Sequence, residues 1–194
     1  MFTGIVQAMG TVAGVTRDGQ DFTFAIESPL LASMEVGGSV SVNGTCLTAV
    51  SVEGNRIVVN AIAETLARTT LGDIADGHPV NLELPMTPDS MFDGHIVQGH
   101  VDGVATVRGI VDEGDSIRVG FAADQAVLRY LVEKGSVTID GISLTVAGLD
   151  EDGFEVAIIP HTREVTTLGS KAPGDRVNVE VDVLAKYVER LLSK

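Results

Sequence analysis

The sequence predicts a mostly β protein made of two copies of one unit in tandem, followed by a short C-terminal helix. Three observations carry this. The first is an internal repeat. Gly-Thr-Cys-Leu-Thr at 44–48 returns as Gly-Ile-Ser-Leu-Thr at 141–145, and Thr-Thr-Leu-Gly at 69–72 returns at 166–169, both 97 residues later. Gly-Ser-Val (38–40 and 135–137) and Val-Asn-x-Glu (80–83 and 177–180) keep that offset, and 18 of the 47 positions from 38 to 84 are identical to their partners, which marks a duplication. The opening recurs at an offset of 95, with Gly4, Val6, Thr11 and Val12 matching Gly99, Val101, Thr106 and Val107. The second observation is alternation of apolar and polar residues over short stretches rich in Val, Ile and Thr. The third is a set of turn signals that interrupt these stretches: Asp18-Gly19, Gly54-Asn55, Gly114-Asp115 and Asp152-Gly153.

Taken in order, Phe22-Thr23-Phe24-Ala25-Ile26 reads as a strand and Pro29–Met34 as a short helix ahead of Gly-Ser-Val. Glu64–Arg68 reads as one further helical turn. The second half repeats these with a helix at Asp124–Val132, a turn at His161–Val165 and a strand at Val177-Asn178-Val179-Glu180-Val181. Short strands with regular turns fit a closed barrel or a sandwich in each half. Pro85 and Pro88 exclude a central strand from Leu84–Ser90, which is therefore a linker. At the end of the chain Leu184, Val188, Leu191 and Leu192 fall on one face of a helix. So short a helix must pack on something, either its own barrel or a second subunit. The expected units are residues 1–95, residues 96–183 and a terminal helix, 184–194.

Composition narrows the function. Of 194 residues, 13 are basic and 27 acidic, a net charge of −14 with no basic run longer than two, which opposes binding to nucleic acid or to anionic membranes. Cys46 is the only cysteine, so an intrachain disulfide and a Cys-cluster metal site are excluded. Met1-Phe2-Thr3-Gly4-Ile5 has no basic leader and no long apolar run, and a soluble, cytoplasmic protein is expected. His95 and His100, five apart in a Gly-rich stretch, do not make a metal-ligand set. Ser, His and Asp occur in the second half without a Gly-x-Ser-x-Gly elbow, which opposes a hydrolase.

A duplication serves as its own control: positions that hold the fold stay alike, and positions that do chemistry diverge. Ile5 is matched by His100, Gly37 by Lys134, Cys46 by Ser143, Glu64 by His161 and Pro85 by Asp182. The reading is two related ligand pockets, with titratable groups gathered in the second. The plain alternatives are a buried Cys46, ordinary strand residues at Ser143 and Thr145, a solvated Asp182, and Lys134 as a cation after a helix end.

Four motifs together resemble riboflavin synthase of the alpha-chain type, the lumazine-binding repeat family. They are Met1-Phe2-Thr3-Gly4-Ile5-Val6-Gln7, Asn43-Gly44-x-Cys46-Leu47-Thr48, Gly94-His95-x-Val97-x-Gly99-His100-Val101-Asp102-Gly103 and Asp140-Gly141-Ile142-Ser143-Leu144-Thr145. The resemblance spans essentially the whole chain; Phe92-Asp93 ahead of Gly94 departs from the glycine common there.

The resemblance implies two six-stranded Greek-key barrels, each binding one 6,7-dimethyl-8-ribityllumazine. A four-carbon unit moves between the two molecules, giving riboflavin and 5-amino-6-ribitylaminouracil without metal or cofactor. It implies a homotrimer held partly by C-terminal helices, with the site between the first barrel of one subunit and the second of a neighbour; lumazine synthase is a candidate partner. His100 and Ser143 are expected to handle protons, Asp182 to orient them, and Cys46 to face the other ring. Binding is expected from Gly4, Ile5, Val6, Ser39, Leu47, Thr48, Asn60, Ala61, Ile62, Ala63, Glu64 and Thr65 in the first half. The second half is expected to contribute Gly99, Val101, Lys134, Leu144, Thr145, Ala157, Ile158, Ile159, Pro160, His161 and Thr162. The competing reading is a non-catalytic lumazine or flavin carrier, which has no need of His100, Lys134, Ser143 and Asp182.

Overall fold

The computed structural model describes residues 1–193; Lys194, the end of the expected terminal segment, lies outside them. The first half contains β1 (Ala8–Asp18), β2 (Asp21–Glu27), β3 (Ser39–Val42), β4 (Thr45–Glu53), β5 (Arg56–Ala61) and β6 (Pro79–Glu83), with helix α1 (Ala63–Arg68) between the last two. In the second half lie β7 (Gly103–Glu113), β8 (Ser116–Ala122), α2 (Gln125–Leu128), β9 (Ser136–Ile139), β10 (Ile142–Leu149), β11 (Gly153–Ile158), α3 (Pro160–Val165) and β12 (Arg176–Val181). Helix α4 (Val183–Leu192) follows.

Each half closes into a six-stranded antiparallel barrel, in the order β1-β2-β5-β4-β3-β6 and, for the second, β7-β8-β11-β10-β9-β12. This settles barrel over sandwich. Period-two alternation fills each lumen: Ile57, Val59 and Ala61 of β5, and Ile117, Val119 and Phe121 of β8, are buried. Register shifts at Val12/Gly14 and Ala49/Ser51 recur at Val107/Gly109 and Val146/Gly148, so the bulges that bend the strands around were duplicated with them. The first expected helix is a 3-10 segment, Pro29–Ser33. The second is α-helical only at Gln125–Leu128, because the amides of Tyr130 and Leu131 reach back just three residues, to Val127 and Leu128.

The two barrels meet across a pseudo-twofold seam of paired, buried hydrogen bonds. Asn81 Nδ2 donates to the Asp140 carbonyl at 2.9 Å, and Asn178 Nδ2 to the Asn43 carbonyl at 2.8 Å. Their side-chain oxygens accept across the same seam, Asn81 from the Thr167 amide at 2.8 Å and Asn178 from the Thr70 amide at 2.7 Å. Asn43 and Asp140 sit at φ of 45° and 44°, a left-handed conformation these residue types tolerate. Each in turn accepts a backbone amide, from Asn81 at 2.7 Å and Asn178 at 2.8 Å. Between the barrels Phe2 pairs with Val97, 1% and 0% exposed and belonging to neither lumen.

Replacing Asn81 or Asn178 by Ala leaves two buried main-chain groups unpaired, at about 1–3 kcal/mol each. Chemical denaturation should show a loss of about 2–5 kcal/mol for either variant, and two separate unfolding transitions for the double variant in place of one. A single transition at wild-type stability would contradict this account of the seam.

Candidate functional site

Between Phe2 and β1, and between Val97 and β7, the chain runs along the seam as two short extended segments. Each is gathered by a buried carboxylate. Glu83, at the end of β6, accepts the amides of Thr3 (2.7 Å) and Gly4 (3.0 Å) and the Thr3 hydroxyl (2.9 Å). Glu180 of β12 accepts the amides of Gln98, Gly99 and His100 at 2.7, 2.9 and 3.0 Å. Each segment then offers a carbonyl to the opposite barrel. Gly4 accepts the Ser143 amide of β10 at 2.7 Å, and Gly99 accepts the Cys46 amide of β4 at 2.9 Å. Gly4 and Gly99 have φ of 78° and 77°. A methyl group on either would lie 2.7 Å from Ser143 Cβ or 2.6 Å from Cys46 Cβ, so only glycine lets the segments approach so closely.

The result is two composite clefts. The first, of about 330 Å³, is lined by Cys46, Glu64, Thr65 and Arg68 of the first barrel together with Gly99, His100, Val101 and Asp102 of the second half. Its pseudo-symmetric counterpart brings Gly4 to Ser143 and packs Val6 against the second core, with Ile5 exposed between them; His161 and Thr162 lie on α3, at the places of Glu64 and Thr65. Sequence reading gathers the titratable groups into one pocket, but the structure divides them. His100 stands with Cys46 in the first cleft. Ser143 stands with His95, whose Nδ1 is 2.7 Å from the Ser143 hydroxyl.

The remaining expected residues fall as follows. Leu47, Ala61 and Ile158 turn their side chains into the barrel cores, so only their main chain is available to a ligand. Ile62 and Ile159, 59% and 57% exposed, stand at matching rims ahead of α1 and α3, beside exposed Ala63 and Pro160. Glu64 pairs with Arg68 at 2.9 Å, and Asn60 Oδ1 accepts the Thr23 hydroxyl at 3.0 Å. Thr48 and Thr145 are exposed opposite Ser39 and Ser136, and Ala157 is exposed on β11. Leu144 packs partly against the second core. Lys134 is exposed at φ 67°, where the first half has Gly37 at 88°; a lysine held in this conformation is a strained residue on the surface.

Asp182 caps α4, accepting the Leu184 amide at 2.9 Å, and its charge acts on His95. Helix α4 docks on the second barrel through Val183, through Glu189 with Tyr130 and Arg129, and through Lys186, whose Nζ is 2.6 Å from Asp102 of the first cleft. Arg68, Asp102 and His95 are among the residues that sequence reading left out of the site. For His95 a signal existed: it stands in the Gly94-His95-x-Val97-x-Gly99-His100 motif.

The family model for the lumazine binding domain matches residues 3–85 and again 98–182. This chain belongs to the lumazine-binding domain family. Relatives include the riboflavin synthases of Mycobacterium tuberculosis, 48% identical over 99% of this chain and 98% of that protein, and of Bacillus subtilis, 38% identical over 100% and 91%. Among solved structures, LumP in complex with 6,7-dimethyl-8-(1'-D-ribityl) lumazine superimposes with a TM-score of 0.85 at 28% identity, over 93% of this chain and 99% of that one. LumP with riboflavin gives 0.87 at 27%, with the same coverage. The matched spans are the two barrels, so each composite cleft belongs to one lumazine-binding repeat plus the segment that reaches it from the other.

Burial raises the carboxyl groups of Glu83 and Glu180 above the ordinary 4.5, and the amides they accept only partly offset this. The folded chain then holds protons that the unfolded chain releases, so this contribution to stability is whole below about 4.5 and is lost as pH rises through the raised values. Glu83→Gln cannot ionise. The unfolding free energy of wild type minus that of Glu83→Gln should therefore fall as pH rises from about 4 to 7; parallel curves would exclude the linkage.

Proposed function

We propose that the protein is a riboflavin synthase that dismutates two molecules of 6,7-dimethyl-8-ribityllumazine, passing a four-carbon unit from one to the other to leave riboflavin and 5-amino-6-ribitylaminouracil. The observation that carries this is the pair of clefts alike in construction and unlike in reactive groups. A reaction between two identical molecules needs two related pockets, and a donor and an acceptor need those pockets to differ. The first sets Cys46 and His100 at its ring, and the second sets Ser143, with His95 behind it, and Ile5. Full-length identity of 38–48% to riboflavin synthases supports the reading.

The lumazine 7-methyl is acidic because its carbanion delocalises into the ring, so a modest base suffices to remove the proton. His100 is the exposed imidazole of the first cleft and takes this role there. Holding two rings face to face removes up to about 7–11 kcal/mol of entropic barrier. The working form is a homotrimer in which the first barrel of one subunit meets the second barrel of its neighbour and brings the two rings together. Lys134 reaches the ligand from that neighbour. The exposed apolar face of α4, Leu184, Tyr187, Val188 and Leu191, at 55%, 63%, 54% and 69% exposure, supports such an assembly. The enzyme works in the cytoplasm, where its free Cys46 stays reduced.

Purified protein incubated with 6,7-dimethyl-8-ribityllumazine, chelator and no added cofactor should yield riboflavin at half the moles of lumazine consumed. His100→Ala should lose about 10²-fold or more in kcat while staying folded. Binding without product would make the protein a ligand carrier; its structural neighbour LumP is seen in complex with the lumazine and with riboflavin. Because the site is shared between subunits, specific activity should fall on dilution as the trimer dissociates, and Leu191→Glu should shift that fall to higher concentration. Activity proportional to protein down to the monomer would refute the shared site.

A further inference from the structure

His95 is 8% exposed and sits where the linker joins the seam, its own amide held by the Thr3 carbonyl at 3.1 Å. Its ring bridges two hydroxyls: Nδ1 lies 2.7 Å from Ser143 Oγ, and Nε2 lies 3.1 Å from Thr138 Oγ1. Burial holds the imidazole below its usual range, with the Asp182 charge opposing this as the lesser effect, so one ring nitrogen carries the proton and the other accepts.

The two hydroxyls are not alike, and that difference chooses the tautomer. Thr138 is 1% exposed, and among the described residues its hydroxyl meets no partner except His95. With the proton on Nε2, the Thr138 hydrogen has no acceptor in a dry site, a penalty of the kind buried donors avoid. With the proton on Nδ1, Thr138 donates to Nε2, Nδ1–H donates to Ser143 Oγ, and every buried hydrogen is used. The Ser143 hydrogen alone remains, on a half-buried side chain at the place Cys46 holds in the first cleft.

We propose that His95 is a positioning residue of the second cleft: it fixes Ser143 Oγ as an acceptor and turns the Ser143 hydrogen toward an acceptor atom, a carbonyl oxygen or unprotonated nitrogen, of the bound ring. This rests on the riboflavin synthase reading and refines it. Ser143 serves as an oriented donor instead of a base. When a methyl proton leaves the ring, negative charge spreads onto those acceptor atoms, and a preset donor holds the charged form better than the neutral one. Cys46, with a weak S–H donor and no histidine behind it, offers no equivalent.

The test has two arms. In protein labelled with ¹⁵N-histidine, the His95 resonances, identified by their loss in His95→Gln, should show Nδ1 protonated and Nε2 bare. The reverse assignment overturns the proposal, and this arm holds whether or not the protein turns over lumazine. In the kinetic arm, His95→Ala and Ser143→Ala should each lower kcat about tenfold or more with KM changed less than about twofold, and the double variant should be no slower than Ser143→Ala alone. His95→Asn, whose amide N–H falls near the position of Nδ1, should recover part of kcat. Multiplicative losses in the double variant, or His95→Asn no better than His95→Ala, would mean that His95 merely supports the fold. Absence of turnover in wild type would refute the enzymatic reading and leave the tautomer to the first arm.

Discussion

Everything distinctive about this chain depends on two buried carboxylates. Glu83 and Glu180 each draw in the main chain of a short segment that belongs to no barrel, satisfying amides that would otherwise be stranded at a dry seam. A buried carboxylate is costly unless its lone pairs are filled, so each glutamate and its segment order one another. With the segments fixed, Gly4 and Gly99 meet Ser143 and Cys46, and the clefts take their walls from both halves of the molecule.

The seam uses the duplication as a homodimer uses symmetry. Asn81 and Asn178 make the same bonds in opposite directions, so one solution to the problem of joining two barrels is applied twice. Chemistry enters where the symmetry is broken. Gln7 accepts the Leu84 amide through a neutral side chain; at the matching place Asp102 accepts the Val181 amide and also binds Lys186. The charge added at Asp102 ties the terminal helix to the wall of the first cleft, so the element with the exposed apolar face also steadies the segment that carries His100. The second cleft instead has His95, hydrogen-bonded to Ser143.

Much of this is legible in the residues. The 97-residue repeat, the strands around Phe22–Ile26 and Val177–Val181, the linker and the terminal helix all stand where alternation and turn chemistry put them, because those signals are local. Cys46 against Ser143 and Ile5 against His100 are visible as broken matches. The short helices are less so: Asp124–Val132 contains apolar residues at helical spacing, yet tight three-residue bonds after Leu128 end the α-helix early. Both Leu47 and Ala61 lie next to site residues in sequence, but alternation on a strand turns their side chains into the core.

Chain order alone establishes that there are two like units, that they are β, and which positions differ between them, since duplication, period and composition are read along the chain. Which differing residues come together depends on how the two barrels pack. His100 stands opposite Cys46, and Ser143 opposite Ile5 and His95, because a segment pinned by a glutamate of its own barrel lays its carbonyl on a strand of the other. That exchange comes from two closed barrels meeting across a pseudo-twofold axis, a long-range constraint that leaves no local period in the sequence.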